Sequence, residues 1–323
     1  MKTISLLDTS INNYNLGNQI IMNAIEPMLY ELFRNDFVYK MQASEKFGPI
    51  SMSNFNRSDY IFFGGTNALT SNVNKEKYIG FSAINLIHFN RLSLLGVGWW
   101  QYQEKPNFYT KLFLNRMLDS STLHSVRDSY TKKMLASIGI ENVVNTCCPS
   151  TWALDEMHCS DIPKLKSDSV VMTITDYNQS PKEDAAFISQ LQALYNKVFF
   201  WPQGRGDLSY FHSLNTPQQN EVFVLEPNLQ SFVDLLSKNE IDYIGTRLHA
   251  GIKALQHKKR TLIIAIDNRS KEIANDINLI ISERGDDKAL DFFIKNSIDT
   301  PIQIPTSEIA KWKNQFHETS IDA

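Results

Sequence analysis

Ile241-Asp-Tyr-Ile-Gly-Thr-Arg-Leu-His-Ala-Gly-Ile-Lys-Ala-Leu255 packs a strand, a turn and a helix into one short run. The apolar stretch closing at Ile244 reads as a buried strand, Gly245-Thr246 as a turn, and the residues from Arg247 onward as a helix. In a parallel sheet, ligands dock in the crevice at the carboxyl ends of the strands, and this turn sits there. The first turn of the helix carries Arg247 and His249. A helix N-terminus presents free N–H groups and the positive end of the dipole, so two cations there are unfavourable unless an anion lies between them. The plainer alternative pairs Arg247 with a nearby carboxylate and leaves His249 a satisfied core residue. The segment predicts an anion site.

The same rhythm extends in both directions. Downstream and upstream of it the second half reads as strand Val170 to Thr175, helix Lys182 to Tyr195, strand Val198 to Trp201, helix Gln230 to Leu236, strand Leu262 to Ile266 and helix Lys271 to Ile280. The first half opens with strand Thr3 to Leu7. Its helix, Gly17 to Phe33, carries Ile20, Ile21, Ala24, Ile25, Met28, Leu29 and Leu32 along one side, and a buried strand from Tyr60 ends in Gly64-Gly65. Helices near 108–118 and 129–138 follow. Alternating strands and helices predict an α/β fold with parallel sheets. The chain turns polar around Pro163, with Lys164, Lys166 and Asp168, which predicts domains 1–160 and 161–323 whose sheets face across a cleft. A terminal helix, Thr306 to Glu318, could cross back onto the first domain. No sequence repeat joins the halves.

A length of 323 residues suits two domains of the usual ~100–200 residues, and 42% hydrophobic with 21% charged residues is ordinary for a folded protein. The longest aliphatic stretch, Leu262 to Ile266, is far below the ~20 residues of a membrane span. The N-terminus runs straight into Ile4-Ser-Leu-Leu7 without a basic leader, which predicts a soluble, cytoplasmic protein. A net charge of −3 offers no field for nucleic acid, and His257-Lys-Lys-Arg260 reads as a solvated helix end. Cys147, Cys148 and Cys159 are odd in number and, with His158, fit no zinc spacing. They are expected to be buried free thiols, with no metal bound. No Gly-x-Gly-x-x-Gly or Gly-x-x-x-x-Gly-Lys occurs, which disfavours NAD and ATP.

Other segments offer polar groups at strand ends. Ser125-Val-Arg-Asp128 precedes a helix, and Arg127 offers a guanidinium fork for a phosphate or carboxylate; the alternative is an Arg-Asp pair holding the helix start. Asp8 closes the first strand, and a polar loop with Asn12, Asn13 and Asn15 leads to Gly17-Asn18-Gln19. Asn15, Asn18 and Gln19, with Asn12, suit sugar hydroxyls, although Asn is also a good turn and cap residue. Gly64-Gly65-Thr66-Asn67 lets backbone amides of Gly65 and Thr66 approach a ligand. Trp201-Pro-Gln-Gly-Arg-Gly-Asp207 offers Gln203, Arg205 and Asp207. Trp99, Trp100 and Tyr102 suit stacking on a sugar or contact with a lipid-linked acceptor, with ordinary packing the plainer use of the tryptophans.

Taken together, Asn15-Leu-Gly-Asn-Gln-Ile-Ile21, Gly64-Gly65, Val126-Arg-Asp128 with Leu135 and Gly139-Ile140, the Ile263 to Asp267 strand, and above all Gly245-Thr-Arg-Leu-His-Ala-Gly251 resemble the polysaccharide pyruvyl transferase family. The resemblance implies a GT-B-like fold of two Rossmann-like domains. It implies transfer of the enolpyruvyl unit of phosphoenolpyruvate onto two hydroxyls of one sugar, giving a cyclic pyruvate ketal in a surface or exopolysaccharide precursor, with no cofactor. Matching motif positions give donor binding to Arg127, Arg247, Leu248 and His249. The chain departs from the family at Cys147-Cys-Pro-Ser-Thr151, where many relatives carry an acidic residue in an Asp-Pro segment.

The chemistry agrees with the residues. Phosphoenolpyruvate carries a carboxylate and a phosphate, which two arginines, a histidine and a helix N-terminus match. Protonation of its C3 and departure of phosphate call for a general acid, assigned to His249, and Asp8 and Asp207 are the candidate bases for the sugar hydroxyls. Two alternatives remain: a GT-B glycosyltransferase whose nucleotide-sugar diphosphate occupies the Arg247/His249 site, and a non-catalytic carbohydrate-binding relative.

Overall fold

Ile4, Leu6 and Leu7 are buried, as a strand covered on both faces requires. They belong to β1 (Thr3–Asp8), which is followed by α1 (Leu16–Leu32), β2 (Phe37–Gln42), α2 (Pro49–Asn56), β3 (Tyr60–Gly64), β4 (Asn67–Leu69), β5 (Leu92–Leu95), β6 (Gly98–Trp99), α3 (Phe108–Met117), β7 (His124–Val126), α4 (Ser129–Ala136) and β8 (Val143–Asn145). These coordinates come from a computed structural model that describes residues 1–76, 80, 91–214, 216 and 219–317. The main sheet runs β2-β1-β3-β5, every neighbouring pair parallel, with β4-β6 and β7-β8 as two short parallel pairs. The order reverses between β1 and β3, so a crevice opens at the carboxyl ends of those two strands.

The second half contributes α5 (Glu156–Ser160), β9 (Ser169–Thr173), α6 (Pro181–Leu194), β10 (Lys197–Phe200), α7 (Asp207–Ser213), β11 (Phe223–Val224), α8 (Leu229–Lys238), β12 (Asp242–Gly245), α9 (Leu248–Gln256), β13 (Thr261–Ala265), α10 (Asn268–Ile277), β14 (Ile281–Glu283), α11 (Asp287–Lys295) and α12 (Thr306–Asn314). Its sheet is fully parallel, in the order β11-β10-β9-β12-β13-β14. That is the doubly wound order, with its switch point between β9 and β12. Gly245 is required at that point, because a Cβ there would meet the Thr173 backbone nitrogen at 2.6 Å. Gly251 serves the next layer: a Cβ would press on the Ile263 and Tyr243 side chains, so its absence lets α9 lie close on β13 and β12.

The chain divides into two units, one of Met1–Asn13, Ile21–Trp152 and Ile304–Ala323, the other of Tyr14–Ile20 and Ala153–Gln303. The break falls between Trp152 and Ala153, not after residue 160. The reason is that α5 already belongs with the second unit, where His158 Nε2 lies 2.8 Å from the Leu255 carbonyl. In the first unit α12 packs with Trp312 fully buried and edge-on to Phe62, while Phe316 meets Phe33 and Tyr60. Gln315 then bonds both backbone groups of Leu123, at 2.7 and 3.1 Å, in place of a neighbouring strand.

Arg260 departs from the expectation of a solvated basic run. It is buried, bonds Asp242 at 3.2 Å and the carbonyls of Lys164 and Asn296 at 3.1 Å, and lies on the Phe293 ring at 3.8 Å. Tyr195 adds a hydroxyl to the same carboxylate at 2.7 Å. The three cysteines are buried free thiols.

His124 couples the first unit to pH. Its Nδ1 accepts from Leu94 N at 3.3 Å, its Nε2 is buried with no hydrogen bond, and burial lowers its pKa from 6.5 to about 4. The unfolded chain therefore takes up this proton first as pH falls, so the stability contribution is complete above 6.5 and drains away between 6.5 and about 4. The gap corresponds to about 3 kcal/mol. Urea denaturation of the wild type and His124→Asn between pH 7 and pH 4 should give curves whose difference shrinks by that order across the window. A constant difference would remove this assignment.

Candidate active site

At the β9/β12 switch point the loop after β12 delivers Arg247 as the N-cap of α9, and no side chain caps that helix start. Arg247 is nearly fully buried. Its Nε donates to Asp207 Oδ2 at 3.0 Å and its Nη2 to Asp176 Oδ1 at 2.9 Å and to Asp207 Oδ1. Nη1 makes no hydrogen bond among the described residues. Tyr177 lays its ring 5.0 Å from the guanidinium carbon. Gly204 makes room for the fork, since a Cβ there would run into Arg247 Nη2. Thr173 Oγ1 accepts from Arg247 N at 3.1 Å, and Tyr243 donates to the Arg247 carbonyl at 2.8 Å, which fixes the backbone as well. His249, the second residue of α9, is buried.

Asp207 takes a part different from the expected base. Its carboxylate is fully buried and accepts from Gln203 N, Gly204 N and Asp176 N at 3.1, 2.7 and 3.1 Å in addition to Arg247. Burial pushes its carboxyl pKa up, against the Arg247 guanidinium and the backbone N–H groups of Gly204 and Asp176, which pull it down. With both oxygens occupied, Asp207 is the clamp that orients Arg247. The expected pairing of Arg247 with a carboxylate and the expected free anion donor thus coexist: Nε and Nη2 are committed, while Nη1 and the uncapped helix start are not.

In the first unit, Asp8 ends β1 at that sheet's switch point and is buried. Its Oδ1 accepts from the Ser10 backbone and hydroxyl at 2.7 and 2.6 Å, whereas Oδ2 is buried without a hydrogen bond, 3.7 Å from Lys40 Nζ. Thr9 Oγ1 ties the strand end to the Gly64 carbonyl at 3.1 Å. Gly65 and Thr66 both take the left-handed conformation, with φ of 64° and 63°. Gly65 has no alternative, because a Cβ would collide with Ile21. Asn67 follows, with its Oδ1 buried and unpartnered. Arg127 leaves β7 beside Gly98, whose missing side chain is the space the guanidinium fills, and bonds Asp128 Oδ2 at 3.2 and 3.1 Å. Asp128 Oδ1 caps α4 through Thr131 N at 2.7 Å.

Residues 15–268 match the polysaccharide pyruvyl transferase family. The chain belongs to that family. No curated protein matches this transferase. Among solved structures it is similar to Methanocaldococcus jannaschii UDP-GlcNAc 2-epimerase in complex with UDP-GlcNAc and UDP (13% identity, TM-score 0.56, covering 98% of this chain and 100% of that one). S. aureus MnaA with UDP (12%, 0.53, 100% and 98%) and the Neisseria meningitidis UDP-GlcNAc 2-epimerase bound to UDP-GlcNAc (12%, 0.51, 100% of both) are similar as well. These likenesses identify a GT-B fold for the transferase, each unit contributing one Rossmann-like sheet.

The transferase brings Arg247, Leu248, His249 and Asp207 together on the second unit's switch point, and Asp8, Gly65 and Thr66 on the first unit's. The loop asparagines divide. Asn15 is spent on structure, accepting from Gly17 N at 3.0 Å and from Gln203 Nε2 at 2.9 Å. Asn12 is exposed in the left-handed conformation, Asn18 is buried and Gln19 half-buried. Trp99 is core, its indole bonded to Gln103 at 3.0 Å. Three residues escaped the sequence reading: Asp176, Tyr177 and Arg269. The signal for the first two was position, since they lie in the loop after β9 at the switch point. Arg269 bonds Asp267 Oδ2 at 3.0 Å and reaches the Tyr177 hydroxyl, so the three form one bracket beside Arg247.

Proposed function

We propose that this transferase moves the pyruvyl unit of phosphoenolpyruvate onto two hydroxyls of a sugar in a polysaccharide precursor, in the cytoplasm, and closes a cyclic ketal. The observation that carries the reading is the uncapped start of α9 at the β9/β12 switch point, with Arg247 held rigid beside it and His249 in its first turn. An anion there meets N–H groups already aimed at it, so little reorganisation is needed when it binds. Arg247 enters as an oriented donor whose charge Asp207 and Asp176 already balance. This suits a site that must release phosphate after each turnover as well as hold the donor.

The reaction consumes two hydroxyl protons. One ends on C3 of the enolpyruvyl group, converting CH2 to CH3 as the first C–O bond forms at C2; the other leaves with phosphate as the second sugar oxygen displaces it. His249 is the proton donor in this scheme. Asp8 is the base, chosen over Asp207 because one of its oxygens has no hydrogen bond to give up. Leu248 contributes its backbone to the donor. Gly65, Thr66 and Asn67 join Asp8 in holding the sugar, with Asn12 on the loop after β1.

The donor is tested by thermal-shift titration with phosphoenolpyruvate beside UDP, CMP and inorganic phosphate, since a ligand at ~100 times its Kd adds ~2.7 kcal/mol to the folded state. A shift with phosphoenolpyruvate exceeding that with phosphate is expected; a shift only with a nucleotide would move the reading to a glycosyltransferase. Asp8→Asn is expected to keep the melting temperature, because Asn Oδ1 can still accept from Ser10, and to lower phosphoenolpyruvate-dependent phosphate release by ~10²–10⁴. Undiminished turnover would exclude Asp8 as the base.

A further inference from the structure

We propose that the face of the first unit formed by α3, the 102–106 loop and the second turn of α4 docks on an anionic lipid bilayer. Helix α3 buries Thr110, Phe113, Leu114 and Met117 against its own unit. Its opposite side is unusual for a helix in water: Phe108 is 82% exposed and Leu112 60%, one turn apart, with Tyr109 between them and Tyr102 exposed on the loop before. The Tyr102 ring meets Tyr130 of α4 edge-on at 5.1 Å, so the loop and α4 continue the same surface.

The charge on this face is local and mostly positive. Lys111 and Arg116 lie on the exposed side of α3, which contains no acidic residue; Lys105 precedes it, and Lys132 and Lys133 are exposed on α4. Glu104 is the acidic residue among them, in a chain whose net charge is −3. Apolar and aromatic tips ringed by lysines, on a helix lying flat on its unit, match a surface of acyl chains beneath anionic headgroups: the rings enter the interface and the lysines meet the lipid charge. A protein groove would call instead for one continuous apolar ridge, whereas here each apolar side chain is flanked by a basic one. No helix of the described residues is long and apolar enough to cross a membrane, so attachment through these groups would be peripheral.

Helix α4 starts directly after Arg127-Asp128, so the docking face borders the carboxyl edge that also carries Asp8. A lipid-linked sugar would then arrive where the acceptor residues stand. That last step rests on the function proposed above; attachment to the bilayer does not.

The test is sedimentation of the purified protein with vesicles of equal parts phosphatidylglycerol and phosphatidylcholine, beside vesicles of phosphatidylcholine alone. Binding to the anionic vesicles that weakens as salt rises is expected, with ~tenfold or greater loss in Phe108→Ser/Leu112→Ser and in Lys111→Glu/Lys132→Glu. All four side chains are exposed, so melting temperatures should match the wild type and show that lost binding is not lost folding. Phosphate release with a water-soluble acceptor should also stay unchanged, which separates this proposal from the donor chemistry. Absence of binding to anionic vesicles, equal binding to neutral ones, or binding indifferent to both double variants would overturn it.

Discussion

Replacing Arg247 with methionine should cost about 3–5 kcal/mol of stability and, in the protein that remains folded, raise the KM for phosphoenolpyruvate. The stability loss comes from what is left behind. Asp207 is fully buried, and without the guanidinium its charge is held by backbone N–H groups alone. Burial already pushes its carboxyl pKa up, and removing Arg247 removes the largest force opposing that shift, so part of the cost is avoided by protonation. The sign follows: Arg247→Met should be relatively more stable at low pH, where Asp207 takes up a proton, and progressively weaker as pH rises through the carboxyl range.

A double variant separates the clamp from the anion site. Arg247→Met/Asp207→Asn leaves no lone charge, and Asn Oδ1 still accepts from Gly204 N, so urea denaturation should return at least half of the lost stability. Donor binding should not return with it, because Nη1 is still missing. Stability loss below ~1 kcal/mol in the single variant would mean that the buried pair contributes nothing net, as some buried pairs do.

The parts of this molecule readable in its sequence are those where one residue type is forced. Gly245 and Gly251 bracket the Arg247-Leu-His249 segment because Thr173 and Ile263 stand where side chains would go, and such packing glycines give a strand–turn–helix its visible outline. The long helix α1 showed as an apolar stripe. Strand β2 did not: it sits at the sheet edge with no fully buried residue, so Phe37-Val-Tyr-Lys-Met-Gln42 shows no core-strand pattern. The three-residue β14 lies at the other sheet's edge and is too short to announce itself. Partnerships across long stretches of chain were also invisible. Asp207 looked like a candidate base because nothing local reveals that a side chain forty residues on will occupy it. Arg260 looked solvated for the same reason, since Asp242, Lys164 and Phe293 meet it only in the fold. Asp8 was legible as a strand-end carboxylate, but the oxygen that makes no hydrogen bond was not.

His249→Asn should leave folding nearly intact and lower turnover by ~10²–10⁴ while changing the KM for phosphoenolpyruvate by only a few-fold. Asparagine keeps a polar, similarly sized side chain in the first turn of α9, so the helix start and the neighbouring Arg247 clamp are preserved. What it loses is the ability to give up and regain a proton, which the proposed reaction needs when C3 becomes a methyl carbon and when phosphate departs. A group that donates a proton must be protonated to act. Wild-type kcat should therefore fall on the alkaline side of its optimum with a limb that disappears in His249→Asn, where the residual rate comes from binding and the fixed N–H donors alone. A residue that only shapes the site would lower kcat without erasing the limb. Measured against Arg247→Met, which should act on KM, the two variants divide the segment into an anchor and a proton donor two positions apart in the sequence; equal effects of both on KM, or full turnover in His249→Asn, would end that division.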